Sequence, residues 1–250
     1  MPDGDAVDVE GLATTKLPPD SVGLLEGMAT TRAIRRYRDE PVPPEALRAM
    51  LFAATRAPSG SNRQPFRFLV LRDSEVAQRA KRLVGEAARA AWGEKRVRDG
   101  YDRGTGTQAD SPKSRMAASM EQYVARFERA PVMVLPLLRR YRAPMPTEGA
   151  SVYPACQNLL LAARALGFGG VLTVFHALVE DELHDVLGIP DDVLIAATIT
   201  LGTPAGSHGP VRRRPLAELV FEDTWGTAPV WAADPPGTRF TSAGPPRSGD

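Results

Sequence analysis

Four arginines fall within seven residues of the segment Thr31-Arg32-Ala33-Ile34-Arg35-Arg36-Tyr37-Arg38. In an extended chain side chains alternate, so Arg32, Arg36 and Arg38 share one side and Arg35 takes the other. Planar guanidinium forks match phosphate oxygens, which makes the segment either an anion site or a solvated basic face. A second cluster, Arg212-Arg213-Arg214, stands just before Pro215 and follows a Gly- and Pro-containing loop from Gly202 to Pro210. Two basic clusters so far apart in the chain act together only if the fold joins them.

The segment Ala57-Pro58-Ser59-Gly60-Ser61-Asn62-Arg63-Gln64-Pro65-Phe66 puts small residues between two prolines. Ser59, Ser61, Asn62 and Gln64 offer uncharged donors and acceptors, suited to a planar heterocycle or equally to a well-made turn. Gly167, Gly169 and Gly170 let backbone amides approach a ligand closely, yet a helix precedes a strand here, so the dinucleotide fingerprint is not met. His176, His184 and His208 lack metal-ligand spacing and read as surface or capping residues. No nucleophile elbow and no P-loop occur, and no metal ligand or catalytic side chain is nominated. Such a chain takes its chemistry from a cofactor.

The 250 residues carry 31 basic and 30 acidic side chains, for a formal charge of +1. That balance argues against a nucleic-acid or membrane-surface partner, which calls for a large basic excess. The average conceals segregation: Asp3, Asp5, Asp8, Glu10 and Asp20 face only Lys16 in the first 20 residues, so the excess of positive charge belongs to the span from 21 to 230. A lone cysteine, Cys156, excludes an intrachain disulfide; inside an apolar helical run it reads as packing. The acidic N-terminus has no apolar signal region, and no stretch approaches the roughly 20 apolar residues of a membrane span. A cytoplasmic protein is expected.

The elements that must position these groups follow from periodicity. Residues 1–19 are expected to be a disordered acidic arm, 20–228 the folded domain, and 229–250 a Pro/Gly-rich tail. A first helix, capped at Asp20 or Ser21, runs to Thr30 with Leu24, Leu25 and Met28 on one face. A stronger one spans 44–57, with Leu47, Met50, Leu51 and Ala54 at core spacing. Residues 66–71 suit a buried strand and 74–98 a long helix capped at Asp73 or Ser74. The Gly-containing span 99–113 is expected to be a mobile loop or lid. Further helices are expected at 114–128, 148–166 and 179–187, and strands at 131–139, 170–175 and 194–201. Pro136 demands an edge or a bulge. Helices and strands mixed without regular alternation favour an α+β fold.

Taken in order, Thr-Arg-Ala-Ile-Arg-Arg-Tyr at 31–37, Glu-Pro-Val-Pro-Pro-Glu at 40–45, the turn at 57–66, Ala-Leu-Gly-Phe-Gly-Gly at 165–170 and Arg-Arg-Arg-Pro-Leu at 212–216 resemble the FMN-dependent nitroreductase family over residues 21–225. The resemblance implies a central mixed, mainly antiparallel sheet flanked by helices, in an intertwined homodimer with FMN at the interface. It implies ping-pong chemistry, from NADH or NADPH to the flavin and on to a nitroaromatic, quinone or other planar acceptor. The same scaffold also supports flavin-dependent dehydrogenation, dehalogenation and flavin modification. By position, Arg32, Ala33 and Arg35, with Arg212 and Arg213, would hold the FMN phosphate end. Pro58, Ser59, Asn62 and Gln64 of the opposite subunit would meet ribityl and ring, and Leu172 and Thr173 would line the ring.

Overall fold

The computed structural model describes residues 19–241. The acidic arm expected over 1–19 lies, but for Pro19, outside the described residues, as does 242–250 of the tail. Six helices and five strands succeed one another as α1 (Leu24–Thr30), α2 (Pro44–Thr55), β1 (Phe66–Leu71), α3 (Glu75–Arg98), α4 (Pro112–Ala125), β2 (Val132–Arg139), α5 (Tyr153–Ala165), β3 (Gly169–Thr173), α6 (Glu180–Leu187), β4 (Val193–Ile195) and β5 (Thr198–Gly202). The strands form one sheet in the order β1-β2-β5-β3, with β4 extending the row beside β2. Every strand pair among the described residues is antiparallel, in keeping with the mainly antiparallel sheet expected. No helix among the described residues is long and apolar enough to cross a membrane.

Alternation along the strands sorts the core into two layers. Val132, Val134, Leu138, Ile199 and Leu201 pack with Leu47, Met50 and Ala54 of α2 and with Ala155, Cys156, Leu159 and Ala163 of α5. Burial in this layer pushes the Cys156 thiol up to about 12, which makes it a packing residue rather than a nucleophile. Met133, Leu135, Leu137, Val171 and Ile195 face Ala80, Val84, Ala88 and Trp92 of α3 and Tyr123 of α4 on the other side. Ser74 caps α3 by accepting from the Ala77 amide.

Pro136 lies in a central strand, and the sheet accommodates it with a bulge. Leu137 pairs with Ile195 and Val134 with Ile199, so Leu135 and Pro136 face three residues, Ala196, Ala197 and Thr198. The Pro136 carbonyl accepts from the Ala196 amide at 2.9 Å. Its missing N–H therefore points into the bulge, and the ladder to β1 loses nothing. The single strand expected over 194–201 is broken here into β4 and β5 for that reason.

Other departures are local. The first helix begins at Leu24 rather than at Asp20 or Ser21, and its apolar face is turned outward, with Leu24, Leu25 and Met28 at 67, 79 and 50% exposure. The helix expected over 148–166 begins at Tyr153, behind a short turn at Glu148–Ser151. The span 99–113 is fastened rather than loose: the Tyr101 ring meets that of Trp92 at a tilt of 59° with centroids 5.1 Å apart, Arg96 binds Asp102 at 2.7 Å, and Ser111 caps α4, which starts at Pro112.

The fully buried polar side chains Lys81, His176, Thr198 and Thr200 are paired. The Thr200 hydroxyl meets Tyr37 at 2.8 Å and Tyr123 at 2.9 Å. Lys81 donates to the Ala130 carbonyl at 2.9 Å. His176 lies 3.1 Å from the Thr198 hydroxyl, and burial lowers its pKa below the ordinary 6.5. The unfolded chain takes up a proton near 6.5 that the folded ring resists, so stability is held above that pH and falls as pH drops through it toward the folded pKa. Urea unfolding at pH 7.5 and 5.5 should show this loss, and His176→Asn should flatten the slope. An unchanged slope in that variant would remove His176 from the account.

Candidate functional site

The glycines at 169 and 170 bring the arginine-rich segment onto the β3 edge. A Cβ at Gly169 would stand 2.5 Å from Ile34 Cγ1, and one at Gly170 would stand 2.6 Å from the Thr200 carbonyl oxygen. Without those side chains, the Ile34 amide reaches the Gly170 carbonyl at 3.0 Å, and the Arg38 amide reaches Thr203 at 2.8 Å. Burial along the segment departs from simple alternation: Ile34 is buried although it would share a side with Arg32, Arg36 and Arg38, which are exposed, and Ala33 is exposed while Arg35 is half-buried. Arg32 Nη1 comes to 3.9 Å from the open side of Gly209 and Arg36 Nη2 to 3.6 Å from that of Gly206. Arg35 instead exerts its field on the Tyr37 and Tyr123 phenols, both raised in pKa chiefly by burial.

The chain beyond β5 returns to the same place. The Gly209 amide donates to Thr30 at 3.3 Å and the Val211 amide to Ala29 at 3.0 Å. These two bonds seat Arg212 and Arg213 beside the end of α1, immediately before the first arginine cluster. The second cluster thus begins beside the helix end that leads into the first.

Arg32, Arg35, Arg36, Arg164, Arg212 and Arg213 make no ion pair among the described residues, whereas Arg89, Arg96, Arg140 and Arg214 each have a carboxylate partner. Three buried side-chain nitrogens lack any hydrogen-bond partner: Arg35 Nε, Arg164 Nε and His208 Nδ1. Arg164 and His208 lie where the end of α1, the α5–β3 junction and the 203–211 loop meet, with Arg32 beside them, whereas Arg35 is turned toward Tyr37 and Tyr123. Unpaired cations and unsatisfied buried nitrogens call for an acceptor-rich anion. The FMN phosphate, with its three oxygens and double negative charge, suits that set.

The turn at 57–66 carries its own signal. Ser61, Asn62 and Gln64 have φ of 52, 50 and 49°, a left-handed backbone that costs non-glycine residues of order 1 kcal/mol or more each. The turn is held by the Gln64 amide on Ser59 Oγ at 2.9 Å and by Gln64 Nε2 on Asn62 Oδ1 at 3.0 Å. Pro58, Asn62 and Gln64 remain exposed and Ser59 half-exposed. Leu172 and Thr173 are half-buried in β3. The turn leads into β1 and these residues sit in β3, at opposite edges of the row, three strand spacings or about 14 Å apart. One chain therefore does not bring the two sets together.

Sequence reasoning missed Arg164 and His208. Arg164 was hidden in an apolar helical run; its signal was a lone cation one turn before the Gly167 stop. His208 has none beyond its place between the two basic clusters.

Fold and site define an α+β protein with a cluster of cations, without carboxylate partners among the described residues, at one sheet edge. The chain belongs to the nitroreductase family, whose model matches residues 28–203. It is 32% identical over 207 residues to an NADH dehydrogenase of Thermus thermophilus, covering 76% of this chain and 91% of that one. It is 31% identical over 214 residues to nitrobenzene nitroreductase of Ectopseudomonas oleovorans, covering 77% and 91%. Among solved structures, a nitroreductase homologue from Desulfovibrio desulfuricans in complex with FMN is 28% identical, with a TM-score of 0.58 over 82% of this chain and 99% of that one.

Proposed function

We propose that the protein is an FMN-dependent oxidoreductase that uses NADH or NADPH to reduce a planar acceptor such as a nitroaromatic or quinone. The observation that carries this reading is the gathering of Arg32 and the chain leading into Arg212 and Arg213 about the end of α1, without carboxylate partners among the described residues, beside the unsatisfied buried nitrogens of Arg164 and His208. Names of relatives agree with it: one is an NADH dehydrogenase and another acts on nitrobenzene. When bound, FMN supplies the redox chemistry, taking hydride from the nicotinamide and passing the electrons on. The chain binds and orients. Arg32, Arg35, Arg212 and Arg213, beside the Ala33 backbone, hold the phosphate end, and Leu172 and Thr173 line the ring.

A second copy of the chain supplies Pro58, Ser59, Asn62 and Gln64. Support comes from the separation of that turn from β3, and from an apolar groove of about 510 Å³ between α1, α2 and α5, lined by Leu24, Phe52, Leu161 and Leu166. The outward Leu25 and Met28 continue the same surface. An obligate homodimer follows, with each flavin held by both subunits.

The test is an absorbance spectrum of the purified protein followed by anaerobic addition of NADH or NADPH. Flavin bands that bleach on addition establish cofactor and reductive half-reaction together. A colourless protein that fails to retain added FMN overturns the reading.

A further inference from the structure

We propose that Arg164 and His208 form the buried half of the phosphate grip, so that the anionic end of the cofactor is held from α5 and the 203–211 loop as well as from the two arginine clusters. The inference rests on the FMN reading above and assigns it two further residues.

Arg164 occupies the last turn of α5, where Nη2 donates to Thr30 Oγ1 at 3.3 Å while Nε is closed off from water and unpartnered. A cation at a helix C-terminus is favoured by the helix dipole. That explains the charge but not the buried, unsatisfied Nε. His208 Nε2 lies 3.0 Å from the Phe168 carbonyl, which makes Nε2 the protonated nitrogen and leaves Nδ1 buried and facing no partner. Burial holds the imidazole pKa down, and the fields of Arg164 and Arg32 hold it lower still. The three groups are therefore electrostatic neighbours.

No carboxylate pairs with Arg164 or Arg32 among the described residues. Two cations gathered without a counter-charge oppose one another in the empty protein and disfavour the charged form of the imidazole beside them. A dianion placed between them reverses the sign of that interaction, accepts from Arg164 Nε–H, and favours uptake of a proton from solvent at His208 Nδ1, which then donates to it. The same charges that hold His208 neutral in the free protein then no longer do so, because the phosphate offsets them.

Riboflavin, which is FMN without its phosphate, separates this role from a structural one. Dissociation constants for both flavins are measured by fluorescence titration of apo-protein for wild type, Arg164→Gln and His208→Gln. Each variant should lose about tenfold in FMN affinity, bind riboflavin within twofold of wild type, and keep its thermal midpoint. Arg164→Lys should recover part of the loss. An FMN-to-riboflavin affinity ratio equal to wild type, whether both flavins bind normally or both weaken, overturns the inference. A readout that needs no variant is the 15N spectrum of histidine-labelled wild type. His208 Nδ1 should shift on addition of FMN and stay put with riboflavin; equal response to both, or to neither, counts against the assignment. Wild type that retains neither flavin defeats the functional reading itself, whereas retention with an unchanged ratio in the variants defeats only this assignment.

Discussion

The double substitution Arg32→Gln/Arg213→Gln is expected to lower FMN affinity at least about a hundredfold while the apo-protein stays folded. Each guanidinium lost removes a charge-assisted contact worth roughly 1.5–3 kcal/mol, and about 1.4 kcal/mol is a factor of ten. Both side chains are exposed and neither holds an ion pair, so their removal breaks nothing in the core. It also relieves repulsion among unpaired cations, so the apo thermal midpoint should be unchanged or raised. Loss of flavin together with retained or improved apo stability would mark a site kept at the expense of the empty protein. A variant that purifies fully loaded with FMN removes these two residues from the phosphate end. Flavin content per chain and a melting curve, read on one preparation, decide the matter.

Gly170→Ala should produce the largest loss of stability of any single change discussed, about 2–4 kcal/mol. The added carbon would lie 2.6 Å from both the Thr200 carbonyl oxygen and Leu201 Cδ2, and 3.1 Å from Leu160 Cδ2. Side chains can turn away, but the carbonyl belongs to β5 and is fixed by the ladder, so β3 must move outward. The same residue's carbonyl receives the Ile34 amide and anchors the arginine segment. Flavin affinity should therefore fall along with the urea midpoint. A midpoint within about 0.5 kcal/mol of wild type would mean that the β3–β5 contact is looser than these distances imply.

Much of this was legible beforehand, for reasons that differ by element. Leu47, Met50 and Ala54 repeat at the helical period because one face of α2 meets the sheet, and that period survives any tertiary context. The strict alternation expected over 32–38 fails at Ile34, which is buried on what would be the side of the exposed Arg32 and Arg36, because its side chain packs into the space left by Gly169. Register is another matter. Nothing in 194–201 announces an extra residue; the bulge is set by Pro136, nearly sixty residues away, whose need for an edge or a bulge was the only trace of it. The outward face of α1 looks like a core face in sequence, since an apolar stripe does not say whether its partner is in the same chain. Arg164 and His208 join the site through packing of α5 against the 203–211 loop, and neither has a motif around it.

The Pro136 bulge also bears on how the family can vary. A residue without an N–H and the extra alanine opposite it answer each other across the sheet, where Tyr153 Oη further ties down the Ala196 carbonyl at 3.3 Å. Deleting Ala197 alone would press the proline into a regular ladder, and replacing the proline alone would leave a new amide facing the bulge. Relatives should therefore gain or lose the proline and the inserted alanine as a pair. Aligned sequences would record that as an insertion that travels with a distant substitution.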